Sequence, residues 1–176
     1  MIFRGSQTTS VMSFEALLRE YEPALRRLAA AYEPDVHERE DLLQDIAFAL
    51  WRALPSFRGD SSARTFVYRI AHNRAISHRL SGHRRQRMVE LGTDDADVAD
   101  SRPSAEAQIE RTERTATLMD AVRALTPALR QTVVLSLEGL SHAEIADVLG
   151  TTQATVAVRL TRARSTLASL LQRERI

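Results

Sequence analysis

The 176-residue sequence contains no cysteine and no lysine. Without cysteine there is no disulfide framework, no thiol nucleophile, no cysteine-ligated zinc and no thiol switch within the chain. Without lysine all 24 basic residues are arginine, whose planar fork pairs with phosphates, base edges and carboxylates. No run approaches the roughly 18–20 uninterrupted apolar residues of a membrane span, and Met1–Met12 lacks the apolar core of a signal peptide. These absences predict a cytoplasmic protein without membrane insertion. Also missing is the period-two alternation of β-branched residues that marks a sheet. Wherever a period can be read it is helical, and the sequence predicts an all-α fold.

The net charge of +1 hides strong patterning. Residues 14–57 carry five arginines and nine acids, whereas residues 58–87 carry eight arginines and one acid, Asp60. Residues 90–113 then hold eight acids and two arginines, and residues 159–176 five arginines and one glutamate. Alternating blocks of this kind predict separate faces for separate partners, the basic ones suited to nucleic acid.

Phe14, Leu17, Leu18, Tyr21, Leu25 and Leu28 mark a first amphipathic helix. Leu42, Leu43, Ile46, Leu50 and Trp51 mark a second, stopped at Pro55. A third is expected over 62–81 with an inner stripe of Phe66, Ile70, Asn73, Ser77 and Leu80. From Gly82 to Pro103 the period disappears among glycine and aspartate, the composition of a linker. The chain therefore divides into an N-terminal tail (1–12), a first helical module (13–81), an acidic linker (82–104) and a second helical module (105–176). Met12 offers an alternative start, and the five residues after Leu171 leave no room for an appended regulatory domain.

The second module opens near Ser104. Thr126-Pro127 restarts a helix that carries Leu129, Val133, Val134 and Leu137 and stops at Gly139. Ser141 and Glu144 form a capping box, and the short helix that they open ends at Gly150. A longer helix follows, with Val156, Leu160, Ala163, Leu167 and Leu171 along one side. Short helix, glycine turn and second helix is the helix-turn-helix pattern. Opposite the apolar stripe lie Ala157, Val158, Thr161, Arg162 and Ser165, flanked by Arg159 and Arg164. The second helix would offer that face to a major groove, and the plain alternative is a helical hairpin with a solvated arginine face. Val158, an apolar residue amid an exposed face, is better suited to a thymine methyl group in a major groove.

In the third helix Tyr68, His72, Ala75 and Arg79 share the face opposite Phe66 and Leu80, surrounded by Arg58, Arg64, Arg69 and Arg74. Aromatics beside a basic surface suit single-stranded nucleic acid, because bases stack on rings while arginines track phosphates. Phe57 and Phe66 are alternatively core residues. His72, His78 and His83 are spaced five and six apart and do not share a helical face, which argues against a metal site. No carboxylate pair or glycine-rich phosphate loop accompanies them, and no catalysis or cofactor is expected.

Asp41-Leu-Leu-Gln-Asp45, Phe57-Arg-Gly-Asp60, Arg64-Thr-Phe-Val-Tyr-Arg-Ile-Ala-His-Asn73 and the helix-turn-helix with Ala163-Arg164 resemble extracytoplasmic-function sigma factors in identity and order, from about Phe14 to Leu171. The resemblance implies that the first module is sigma region 2 and the second is region 4. It implies bacterial RNA polymerase core (beta and beta-prime subunits) and promoter DNA as partners, and for many members an anti-sigma factor. Asp41, Gln44 and Asp45 would bind the clamp helices of the large polymerase subunit. Phe57, Arg58, Asp60, Arg64, Thr65, Tyr68, Arg69, His72, Asn73 and Arg79 would recognise and melt the minus-ten element and capture an extruded base. Asn73 also lies on the expected packing side. Thr155, Ala157, Val158, Arg159, Thr161 and Arg162 would read the minus-35 element. Ala157 and Val158 stand where many members carry a basic and then a small polar residue, so the family's common minus-35 preference does not carry over. The linker aspartates Asp94, Asp95, Asp97 and Asp100 either mimic a polyanion in the polymerase's RNA path or are simply solvated.

A flexible 22-residue linker spans roughly 25 Å, whereas two elements two duplex turns apart need roughly 70 Å. The free chain, expected to be monomeric, would seldom engage both elements at once, and a scaffold must hold the modules apart. A stand-alone helix-turn-helix regulator is the alternative reading. It accounts for residues 141–171 but not for the basic-aromatic module or the acidic linker.

Overall fold

A computed structural model of the protein describes residues 13–90 and 106–173, with side-chain surroundings for 13–81 and 115–173. The described residues form α1 (Phe14–Tyr32), α2 (Val36–Ala53), a 3-10 turn (Leu54–Ser56), α3 (Ala63–Glu90), α4 (Glu106–Ala124), α5 (Pro127–Leu137), α6 (His142–Leu149) and α7 (Gln153–Arg173). The expected all-α architecture is what is found. The tail 1–12, Ser104 and the linker aspartates Asp94, Asp95, Asp97 and Asp100 lie outside the described residues.

Local signals explain most boundaries. The Ser13 hydroxyl accepts from the Ala16 amide at 3.2 Å, and the Asp35 carboxylate accepts from the Glu38 amide at 2.9 Å, capping α1 and α2. Pro55 ends α2 in the 3-10 turn. Ser141 and Glu144 form the reciprocal capping box of α6, and Gly150, with φ 61°, closes it in the left-handed conformation. The helix α3 departs from expectation by continuing through Gly82 to Glu90. One glycine costs only about 1 kcal/mol in a helix, and the arginines, Gln86 and Met88 that follow are good helix formers.

The inner face of α3 is also rotated from the expected one. Thr65, Val67, Tyr68, Ala71, His72 and Ala75 are buried, while Asn73, Ser77 and Leu80 are exposed. The small Ala71 and Ala75 let α3 approach its neighbours closely, and the larger Phe66 and Ile70 are left half-buried. Leu137 and Trp51, expected in core stripes, are likewise exposed.

The two modules pack against each other. Helix α1 touches α4 and α5, and α3 touches α5 and α6. One apolar cluster includes Leu17, Leu28, Leu42, Ile46 and Leu50 of the first module with Leu135, Ile145 and Val156 of the second. Polar contacts reinforce it: Arg123 donates to the Ala30 carbonyl at 2.8 Å, Arg69 donates to the Asp147 carbonyl at 2.8 Å, and the Arg130 guanidinium lies 5.5 Å from the centre of the Tyr32 ring.

Candidate functional site

Three surfaces carry the residues singled out in the sequence. The first is the outer face of α2. Leu42, Ile46, Ala49 and Leu50 turn inward, which by helical periodicity leaves Asp41, Gln44, Asp45, Phe48 and Trp51 along one outward stripe, all exposed. Phe48 and Trp51 are 58% and 56% exposed, with ring centroids 5.9 Å apart. Sequence reasoning placed Trp51 in the core and passed over Phe48. The signal was their position one and two turns beyond the acidic pair, since side chains at i, i+3 and i+7 share a face. A helix face that sets two carboxylates beside two solvent-exposed rings suits a basic partner with an apolar centre.

The second surface is the Phe57–Asp60 turn and the outer side of α3. Gly59 has φ 80°, a left-handed turn conformation natural to glycine. Arg58 and Asp60 are exposed, and the Phe57 ring packs 4.7 Å from that of Phe66 with both half-buried. Arg69 and Asn73 are exposed along α3, and Arg79 is half-buried. Thr65, Tyr68 and His72, expected at the nucleic acid, are instead 3%, 2% and 1% exposed. The cause is the rotated inner face. Thr65 takes part in the helix start, its amide and hydroxyl both meeting the Ser62 hydroxyl. Tyr68 packs edge-on against Tyr21, and burial, followed by the nearby Glu138 carboxylate, raises its phenol to about 12. The exposed side chains of this surface are therefore Arg58, Asp60, Arg69 and Asn73 around the Phe57–Phe66 pair, with the Arg69 guanidinium donating to the Asp147 carbonyl.

His72 is a core histidine. Its Nδ1 lies 2.9 Å from the Tyr32 hydroxyl, its Nε2 has no partner among the described residues, and burial lowers the imidazole to about 3. The unfolded chain binds a proton here below its ordinary 6.5, whereas the folded chain stays neutral until about 3. The stability from neutral His72 is thus fully present above pH 6.5 and is lost as pH falls toward 3, at about 1.4 kcal/mol per unit. In urea titrations at pH 7 and pH 5, the natural chain should lose about 2 kcal/mol more than His72→Gln, which has no titrating group. Equal losses would show that His72 is not held neutral.

The third surface is the solvent face of α7. Thr152 and Thr155 share a hydroxyl contact at 2.9 Å at its start. Val158 is 50% exposed, Thr161 and Arg162 are exposed, and Thr155, Ala157 and Arg159 are half-buried. The Thr161 hydroxyl donates to the Ala157 carbonyl at 3.0 Å, leaving an acceptor and a methyl outward. Val156, Leu160 and Ala163 anchor the helix from behind. Among the described residues no three His, Asp or Glu side chains converge as metal ligands would, and no helix is long and apolar enough to cross a membrane.

Family comparisons agree with this arrangement. Residues 17–86 match sigma-70 region 2 and residues 115–167 match sigma-70 region 4. The chain is 32% identical over 167 residues to the RNA polymerase sigma-H factor of Pseudomonas aeruginosa, covering 91% of this chain and 86% of that protein. It is 29% identical to the ECF RNA polymerase sigma-E factor of Escherichia coli, covering 91% and 87% respectively. Among solved structures, RpoE in complex with the anti-sigma factor NepR from Bartonella quintana aligns with a TM-score of 0.68 at 25% identity, over 90% of this chain and 96% of that one. CnrH in complex with the cytosolic domain of CnrY aligns with a TM-score of 0.64 at 26% identity, over 90% and 87%. Two matched regions in order, on a fold shared with sigma factors, show that the chain belongs to the sigma-70 family and is of the extracytoplasmic-function type.

Proposed function

We propose that the protein is a transcription initiation factor that binds bacterial RNA polymerase core and directs it to promoters. The observation that carries this reading is the α2 face, where Asp41, Gln44 and Asp45 stand beside two exposed rings that the chain's own core leaves uncovered. The polymerase core, through its beta and beta-prime subunits, is the partner of that face. The Phe57–Asp60 turn and the outer side of α3 take the non-template strand of the minus-ten element, stacking bases against Phe57 and Phe66 while Arg58 and Arg69 hold phosphates. Thr65 and His72 contribute by fixing α3. Helix α7 reads the minus-35 element with Thr155, Ala157, Val158, Arg159, Thr161 and Arg162, Val158 against a thymine methyl group. RNA synthesis itself belongs to the polymerase. An anti-sigma factor is a further partner, as NepR is for RpoE.

The test is gel filtration of the purified chain with bacterial core RNA polymerase. A one-to-one complex lost on Asp41→Arg is the expected result. A chain that forms no such complex, and instead dimerises and binds duplex DNA alone, would be a stand-alone helix-turn-helix regulator.

A further inference from the structure

The turn that follows α5 is held by the opposite module more firmly than a helix end requires. Glu138, its C-cap residue, is an acid at the negative end of a helix, where a cation would be favoured. Its side chain is only 8% exposed, and Arg27 of α1 grips both carboxylate oxygens, Nε to Oε1 at 2.7 Å and Nη2 to Oε2 at 2.6 Å. The Tyr68 hydroxyl stands 3.4 Å from Oε2. Arg64 donates to the main-chain carbonyl of the same residue and places Nη1 3.7 Å from the Glu144 carboxylate. Gly139, at φ 76°, makes the turn here in the left-handed conformation that favours glycine. Arg27 of α1 and the Tyr68 phenol of α3 thus meet the carboxylate delivered by α5, and Arg64 holds the main-chain carbonyl of the same residue.

We propose that Arg27 and Tyr68, with Arg64 beside them, form an anion site of region 2, occupied by the Glu138 carboxylate in the closed chain and by a backbone phosphate of single-stranded DNA when the regions part. The fork of Arg27 already binds two oxygens of one anion, and the two non-bridging oxygens of a phosphodiester present the same pattern. Arg64 and Arg69 belong to the strand-binding surface, and both are now spent on region 4 main-chain carbonyls. One set of donors serves either ligand but not both, so closure of the two regions and capture of the strand exclude each other. Arg27, which the motifs did not single out, becomes a strand-binding residue. The inference rests on the reading of region 2 as the strand binder.

The experiment measures fluorescence anisotropy of a labelled 20-residue oligothymidylate with the full chain, without polymerase, at low salt, alongside the radius of gyration by small-angle scattering. Glu138→Gln keeps the shape of the side chain and removes its charge. It should make opening easier and tighten oligothymidylate binding about tenfold, and adding Arg27→Gln should abolish that gain without changing the radius of gyration further. Unchanged binding in Glu138→Gln, or a gain that survives Arg27→Gln, overturns the proposal. If polymerase-bound chain also fails to hold the oligothymidylate, the strand-binding reading falls with it. If polymerase-bound chain holds it and Arg27→Gln makes no difference there, the proposal alone falls.

Discussion

Trp51→Ala should weaken binding to polymerase core about a hundredfold, about 2.8 kcal/mol, while changing the stability of the chain by less than about 0.5 kcal/mol. The two numbers separate because the ring is 56% exposed and packs at a tilt on Phe48, so the free protein loses little when it goes. A tryptophan at the centre of a covered interface is the residue type most often found to dominate binding, and its neighbours act mainly by excluding water. Asp41 and Asp45, at one end of the same stripe, add charge complementarity that should show as a salt-dependent association rate. Surface plasmon resonance with immobilised core reads both. A Trp51→Ala chain that binds core within threefold of the natural one would remove the aromatic pair from the interface.

Arg130→Met is expected to cost about 3–5 kcal/mol of unfolding free energy. Arg130 is 3% exposed, and its guanidinium closes the C-terminal end of α4: Nε donates to the Val122 carbonyl at 3.2 Å, and Nη2 donates to the carbonyls of Leu125, at 2.9 Å, and Arg123. Those carbonyls belong to the last turn of a helix and its exit, and of them that of Val122 also accepts from the Leu125 amide at 3.2 Å. Methionine fills much of the volume but donates nothing. Lysine restores the charge without the fork, so Arg130→Lys should recover less than half of the loss. Urea unfolding with an unchanged m-value is the check, and a loss below about 1 kcal/mol would show that water replaces the guanidinium.

What could be read from the sequence was whatever is decided within a few residues. Ser141, Glu144 and Gly150 bracket α6, Thr126 and Pro127 open α5, and Pro55 ends α2, because caps and breakers act on adjacent backbone groups. The helix-turn-helix and the exposed Val158 followed from the same local logic. The facing of α3 was not legible. Phe66, Ile70 and Leu80 outweigh Val67, Ala71 and Ala75 in apolar bulk, yet close packing between two layers selects the small side chains. Trp51 failed for a different reason, since an apolar residue destined for another molecule has the same spacing as one destined for the core. The contact between modules was hidden altogether. Arg27 and Glu138 are 111 positions apart, and each alone reads as a solvated charge.

The shared core has a consequence for how the protein withstands cutting. Because α1 and α3 hold α4, α5 and α6 through one apolar cluster and several buried or part-buried arginine contacts, a nick between Glu90 and Glu106 would not release two independent folds. The fragments would stay associated at high concentration and drift apart only on dilution. The intact connection acts by keeping each half at a local concentration that no free partner reaches. In this chain the peptide between the regions supplies proximity, and the noncovalent seam supplies the architecture.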